Sequence, residues 1–235
     1  MIIGLFIAFA VLAAQAAPAN SVESKGTPPS QVQTAQDPLS GQLGQALMLL
    51  RDKKPADAIA IADQVISAEE AANRSRAGMI FSARSGAEAL LYAGLGASQK
   101  KDAIVLDGTW STAYFAKAFA LVDLGHSDQA KPYLDKAIAL APMNAQFLAE
   151  RGEWFKNHRD WPKAYADFQS ASAAAELSPD EVKSFEKRRA LRGMAFARTE
   201  QGQLEEAEKL LKECLEIDAS DETAKHELEY LRSLH

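Results

Sequence analysis

The side chains of this 235-residue chain that could do chemistry are few and widely spaced. Its four histidines, His126, His158, His226 and His235, stand far apart, with no H-E-x-x-H run and no Cys-His metal spacing, so no metal site is assigned. The one cysteine, Cys214, excludes an intrachain disulfide, and a lone thiol in an oxidising compartment is tolerated chiefly when buried. A nucleophile elbow would show as G-x-S-x-G and a phosphate cradle as a P-loop or G-x-G-x-x-G, and none is present. Carboxylates crowd the stretch from Glu200 to Glu229, but at that density on helices they form a solvated face rather than an acid and base pair. No catalytic residue or cofactor is assigned, and the chain is not expected to be an enzyme. A net charge of -6 without a basic stripe argues against nucleic-acid binding. What remains for ligand contact is aromatic: Trp110, Trp154 and Trp161. Trp154, one residue before the apolar helix position Phe155, reads as partly exposed.

The elements that carry these residues are helices. Hydrophobic residues make up 47% of the chain, enough for a proper core, and alanine and leucine dominate them while Gly and Pro are sparse. Laid over itself at 34 residues, the chain repeats: Tyr114, Ala118, Leu121, Ser127, Ala130, Leu134 and Ala137 recur as Leu148, Gly152, Phe155, Trp161, Ala164, Phe168 and Ala171. After a further 43 residues, nine more than the period, they recur as Leu191, Ala195, Arg198, Leu204, Ala207, Leu211 and Cys214. The spacing predicts a helix hairpin. A first helix offers an apolar, a small and a bulky residue on one face, and a turn follows at Gly125 or Gly202, where glycine suits the left-handed position. A second helix then carries small residues seven apart, so that two backbones approach closely. In the nine-residue insertion, Ser178-Pro179-Asp180-Glu181 reads as a capping box opening a helix that runs to about Glu200.

This pattern resembles the tetratricopeptide repeat, whose period is 34 residues with small residues at the helix contact and a terminal proline such as Pro142. The resemblance covers 39–72, 111–144, 145–178 and 188–221, and a degenerate copy over 77–110 keeps Ala103, Ile104, Leu106 and Asp107 of a repeat end. It implies an all-α fold, a right-handed α-solenoid closed by a C-terminal capping helix over 222–234.

Residues 1–16 read as a signal peptide: an apolar run from Ile2 to Ala14 ends at Ala14-Gln15-Ala16, too short to span a bilayer that needs ~20 residues. Residues 17–38, rich in Pro, Ser and Gln, read as a flexible linker before a repeat domain over 39–235. The expectation is export, to the periplasm of a bacterium or outside another cell, with no stable membrane span once the signal is removed.

The resemblance also points to a binding surface. In this family the first helices line a concave groove, and in the register above Arg189, Arg192 and Phe196 share the stripe that faces it. Its equivalents earlier in the chain are Phe115 and Phe119, then Ala149 and Glu153, with Trp154 beside them. A protein or peptide with acidic and hydrophobic residues, or a free C-terminus, fits such a mixture. The competing expectation for the arginines is pairing with Glu181, Glu186 or the acidic C-terminal helices. The expected function is an exported scaffold that binds a partner in this groove; the alternative is a homo-oligomeric, self-associating subunit of a cell-envelope assembly with the groove unused.

Overall fold

In the computed structural model residues 38–234 are described, so the predicted signal peptide and all of the predicted linker except Pro38 lie outside the described residues. Ten α-helices and two short strands are present among them: α1 (Pro38–Arg51), α2 (Pro55–Asn73), β1 (Met79–Ala83), α3 (Gly86–Ser98), β2 (Ala103–Asp107), α4 (Thr109–Asp123), α5 (Ser127–Leu140), α6 (Ala145–Asn157), α7 (Trp161–Ala174), α8 (Asp180–Glu200), α9 (Leu204–Ile217) and α10 (Glu222–Ser233). A single 3₁₀ turn, Ala175–Leu177, joins α7 to the loop before α8. Four antiparallel hairpins, α1–α2, α4–α5, α6–α7 and α8–α9, stack into a solenoid, and α10 packs on α9 as its terminal helix.

The hairpins close in one way. Lys53, Gly125, Arg159 and Gly202 all take left-handed backbone angles, with φ of 58°, 78°, 57° and 74°. The next residue's N–H reaches back five residues in each case, to Leu49, Leu121, Phe155 and Arg198, at 2.8 to 3.0 Å. This is the closure that satisfies the last carbonyls of a helix while reversing the chain. Inside the hairpins the periodic small residues Ala130, Ala137, Ala164, Ala171, Ala207 and Cys214 are all fully buried. Gly152 and Gly193 cradle the ring of Phe168 between α6 and α8, so closely that a β-carbon at Gly193 would stand 2.5 Å from it. Arg198, the residue that breaks the repeat pattern, lays its guanidinium over the Tyr165 ring at 3.6 Å and pairs with Glu206 at 3.0 Å.

Residues 77–110 are not a degenerate helix hairpin. The chain there makes β1, α3 and β2, two parallel strands joined through a helix, in register from Met79 with Ala103 to Ala83 with Asp107. The apolar residues Ile104 and Leu106 that imitate a repeat end lie on a strand instead. Gly96 allows α3 to approach β2, since a β-carbon there would meet that of Ala103 at 2.5 Å. The stacking of hairpins continues past this excursion, because α2 packs directly on α4, with Lys117 donating to Asp63 at 2.6 Å and Tyr114 to Glu70.

The excursion is tied down elsewhere. Phe81 and Tyr92 stack at 5.0 Å, and the Tyr92 hydroxyl accepts from the Met143 N–H in the α5–α6 loop at 3.1 Å. Arg84 donates to both carboxylate oxygens of Glu186 at 2.7 and 2.8 Å, to Glu88 at 2.9 Å and to Ser178 at 2.8 Å, while Ser85 donates to the Leu177 carbonyl at 3.0 Å. Ser178 is therefore not the capping serine of α8. Its hydroxyl donates to Glu186 at 2.6 Å, and α8 begins after Pro179 without a side-chain cap.

Candidate functional site

The predicted stripe of α8 is present, and it extends further than expected. Phe185, Arg189, Arg192 and Phe196, spaced by four, three and four, share one side of the helix because these intervals nearly close whole turns. Phe185 lies on the part of α8 added by the insertion and is 40% exposed. Phe196 is half-buried, edge-on to Trp161 at 5.9 Å, with the Lys156 ammonium 4.9 Å above its ring.

The arginines between these two rings already hold carboxylates. Arg189 donates to Glu150 of α6 at 2.8 Å. Burial would lower its pKa, yet the charges of Glu150 and Glu153 and the bond to Glu150 hold it above the usual value. Arg192 pairs with Asp221, which also accepts from Arg188 at 2.6 Å and caps α10 by accepting from the Ala224 N–H at 3.0 Å. Of the carboxylates expected to compete for these arginines, Glu181 and Glu186 are not the partners; Glu150 and the C-terminal Asp221 are. Glu153 pairs with Lys156 at 2.5 Å.

Two predicted site residues are corrected. Phe115 and Phe119 are 3% and 6% exposed, so neither offers a ring to a partner. Phe115 stacks on Phe147 of α6 at 5.0 Å, and α4 is enclosed by α1, α2 and α5. Trp154 is half-buried against the preceding hairpin, donating from Nε1 to the Ser127 carbonyl at 2.9 Å and stacking on His158 at 3.7 Å.

Sequence reasoning missed Glu227. This half-buried α10 carboxylate makes no hydrogen bond or ion pair among the described residues. Burial pushes its pKa up to about 7, against the pull of Arg192 and Lys156 and with the help of Asp221 and Glu153. The signal was the odd charge in the amphipathic α10, between the buried Ala224 and Leu228. The depression formed by Lys183, Lys187, Glu213 and Ile217 is less open to a ligand charge, since both lysines pair with Glu176 at 2.9 and 3.6 Å. Among the described residues no group of three His, Cys, Asp or Glu could hold a metal ion, and no helix is long and apolar enough to cross a membrane.

Stacked helix hairpins with a shared closure and a polar terminal helix define a helical-repeat fold. Residues 111–144 and 193–221 match the family model of the tetratricopeptide repeat, so these two segments of the chain are tetratricopeptide repeats. Similar solved structures include pilF of Pseudomonas aeruginosa, with a TM-score of 0.58 and 13% identity over 82% of this chain and 67% of that one. MamA from Desulfovibrio magneticus RS-1 gives 0.56 and 14% over 83% and 84%. A putative kinesin light chain from Podospora anserina gives 0.55 and 15% over 83% and 85%. At these identities the likeness is one of fold. A search of curated protein sequences finds no match.

Proposed function

We propose that the chain is an exported scaffold that holds a segment of another protein along the first-helix face of its C-terminal half. The observation that carries this is the α8 stripe with Glu227 beside it: the exposed Phe185 ring, the half-buried Phe196 ring and one carboxylate with no ion-pair partner among the described residues. Because Arg189 and Arg192 are occupied internally, the free charge is negative. The partner segment that fits carries a bulky apolar residue for Phe185 or Phe196 and a lysine or arginine for Glu227. Export rests on the apolar run and A-x-A site at residues 2–16, and the repeat fold supports the protein-binding role.

Panning a displayed peptide library on the full chain at about pH 8 tests the site. Enriched peptides should pair a basic residue with a bulky apolar one. Glu227→Gln should remove the basic preference and Phe185→Ser the apolar one, with melting temperatures retained. Since the Glu227 pKa is raised to about 7, its charge is lost as pH falls through that value, and basic peptides should bind more weakly at about pH 6. Peptides that bind the double variant undiminished would remove this stripe from consideration. Export is tested separately by fusing the first thirty or so residues to alkaline phosphatase, which is active only outside the cytoplasm.

A further inference from the structure

The β1–α3–β2 excursion carries a surface that no strand covers. β2 pairs with β1 on one side only, so its outer row of N–H and C=O groups has no strand partner among the described residues. Exposed strand edges are ordinarily blunted by lysine, proline or a bulge. β2 has none of these: it reads Ala103-Ile104-Val105-Leu106-Asp107, its first four residues half-buried and its register unbroken.

The helix beside that edge is equally bare. The only charged residue of α3 is Glu88, which is buried against Arg84. Gly86, Ala87, Ala93, Gly94 and Ala97 are exposed, and Leu90 is 78% exposed. Ala89 and Ala93 lie in one row with Gly96, which touches Ala103, so this row of small residues stands on the β2 side of the helix. Strand edge and helix side form one uncharged surface.

We infer that a second copy of the chain covers it, β2 pairing antiparallel with its counterpart about Val105. In that register Val105 meets Val105 of the other copy, and Ile104 meets Leu106, so that every central pair is apolar. The charges select the direction. Lys100 and Lys101 precede the strand and Asp107 ends it, so antiparallel pairing sets each basic start near an acidic end, whereas parallel pairing would align like charges. The helices then fit as well. α3 packs over both strands, and doubling the sheet about an axis half a strand spacing beyond β2 brings the two α3 axes to roughly 10 Å, a helix-packing distance that small side chains favour. The assembly is a four-stranded sheet with two helices on one face, and it does not depend on the α8 stripe.

Sedimentation equilibrium of the full chain between about 1 and 100 μM should show a reversible dimer. Ala93→Glu, an exposed substitution on α3, should give a monomer with an unchanged melting temperature. Val105→Cys should form an intermolecular disulfide on mild oxidation, since directly opposed β-carbons lie ~4.5 to 5.5 Å apart, while the unsubstituted chain treated in parallel stays uncrosslinked. A monomer throughout the range, a dimer that survives Ala93→Glu, or a Val105→Cys chain that does not crosslink overturns the inference; the first of these leaves the edge to a strand from another protein.

Discussion

Replacing Arg84 by alanine is expected to destabilise the chain by about 3 to 5 kcal/mol, the cost of stripping a buried charge of its partner. The magnitude follows from what Arg84 leaves behind. Glu88 is fully buried and Glu186 is 7% exposed, and the guanidinium holds both at once, with Ser178 as a further acceptor. Were this a surface pair, the loss would be ~0 to 1 kcal/mol. Burial already raises the Glu88 pKa above the usual range with Arg84 beside it. Without the arginine the folded state of the variant holds the Glu88 carboxyl protonated to still higher pH. The variant then binds more protons folded than unfolded as pH falls, so its deficit relative to the parent should narrow between about pH 7.5 and 5.5. Urea unfolding at these two values measures both effects. Adding Glu88→Gln and Glu186→Gln to the arginine variant should recover most of the loss, because neutral amides tolerate the site better than bare charges. A loss under 1 kcal/mol, or one that does not change with pH, would refute the view that this cluster anchors the excursion.

Two further predictions concern the repeat contacts. Gly193→Ala should destabilise by ~1 to 3 kcal/mol, since its β-carbon would meet the Phe168 ring at 2.5 Å, and Phe168→Leu added to it should restore part of the loss; an unchanged melting temperature would mean that α7 and α8 are not so closely opposed. Cys214, buried and with a pKa pushed up to about 12 by burial and the neighbouring Asp221, should resist a thiol reagent at neutral pH until denaturant is added, and rapid native labelling would count against its placement.

The repeat itself was legible because its residues act locally. Gly125 and Gly202 mark two of the four left-handed turns, and the small residues seven apart mark the second helices. Lys53 and Arg159 close the other two hairpins in the same conformation without a glycine, so composition alone hid them. The excursion was misread because Ile104, Leu106 and Asp107 fall in phase with a repeat end, while the run Ala103 to Leu106 is equally the reading of a short buried strand. Periodicity over five residues does not separate the two. Phe115 and Phe119 were misplaced for another reason. A helical wheel places Phe115 and Phe119 on a face, but Phe147 of the next repeat and the crossing of α1 decide whether that face is open. Likewise the wheel put Arg189 and Arg192 together, and only tertiary structure supplies Glu150 and Asp221.

The two departures from the 34-residue period belong to one device. A two-stranded sheet is marginal by itself and needs packing against a helix or another body for stability. The solenoid supports β1 directly, which packs on α4 and α5, with the Ser111 hydroxyl donating to that of Ser82 at 2.9 Å. The excursion leans as well on the α5–α6 loop through Tyr92 and on the start of α8 through Arg84 and Ser85. Glu186 lies in the part of α8 that the insertion adds, and Ser178 stands just before that helix; together they take three of the Arg84 bonds. An α8 of ordinary length would leave Arg84 and Glu88 without their buried counterpart. The lengthened helix, which the period alone presents as an unrelated irregularity, is thus the surface on which the excursion is folded, and it also carries Phe185 into the candidate binding stripe.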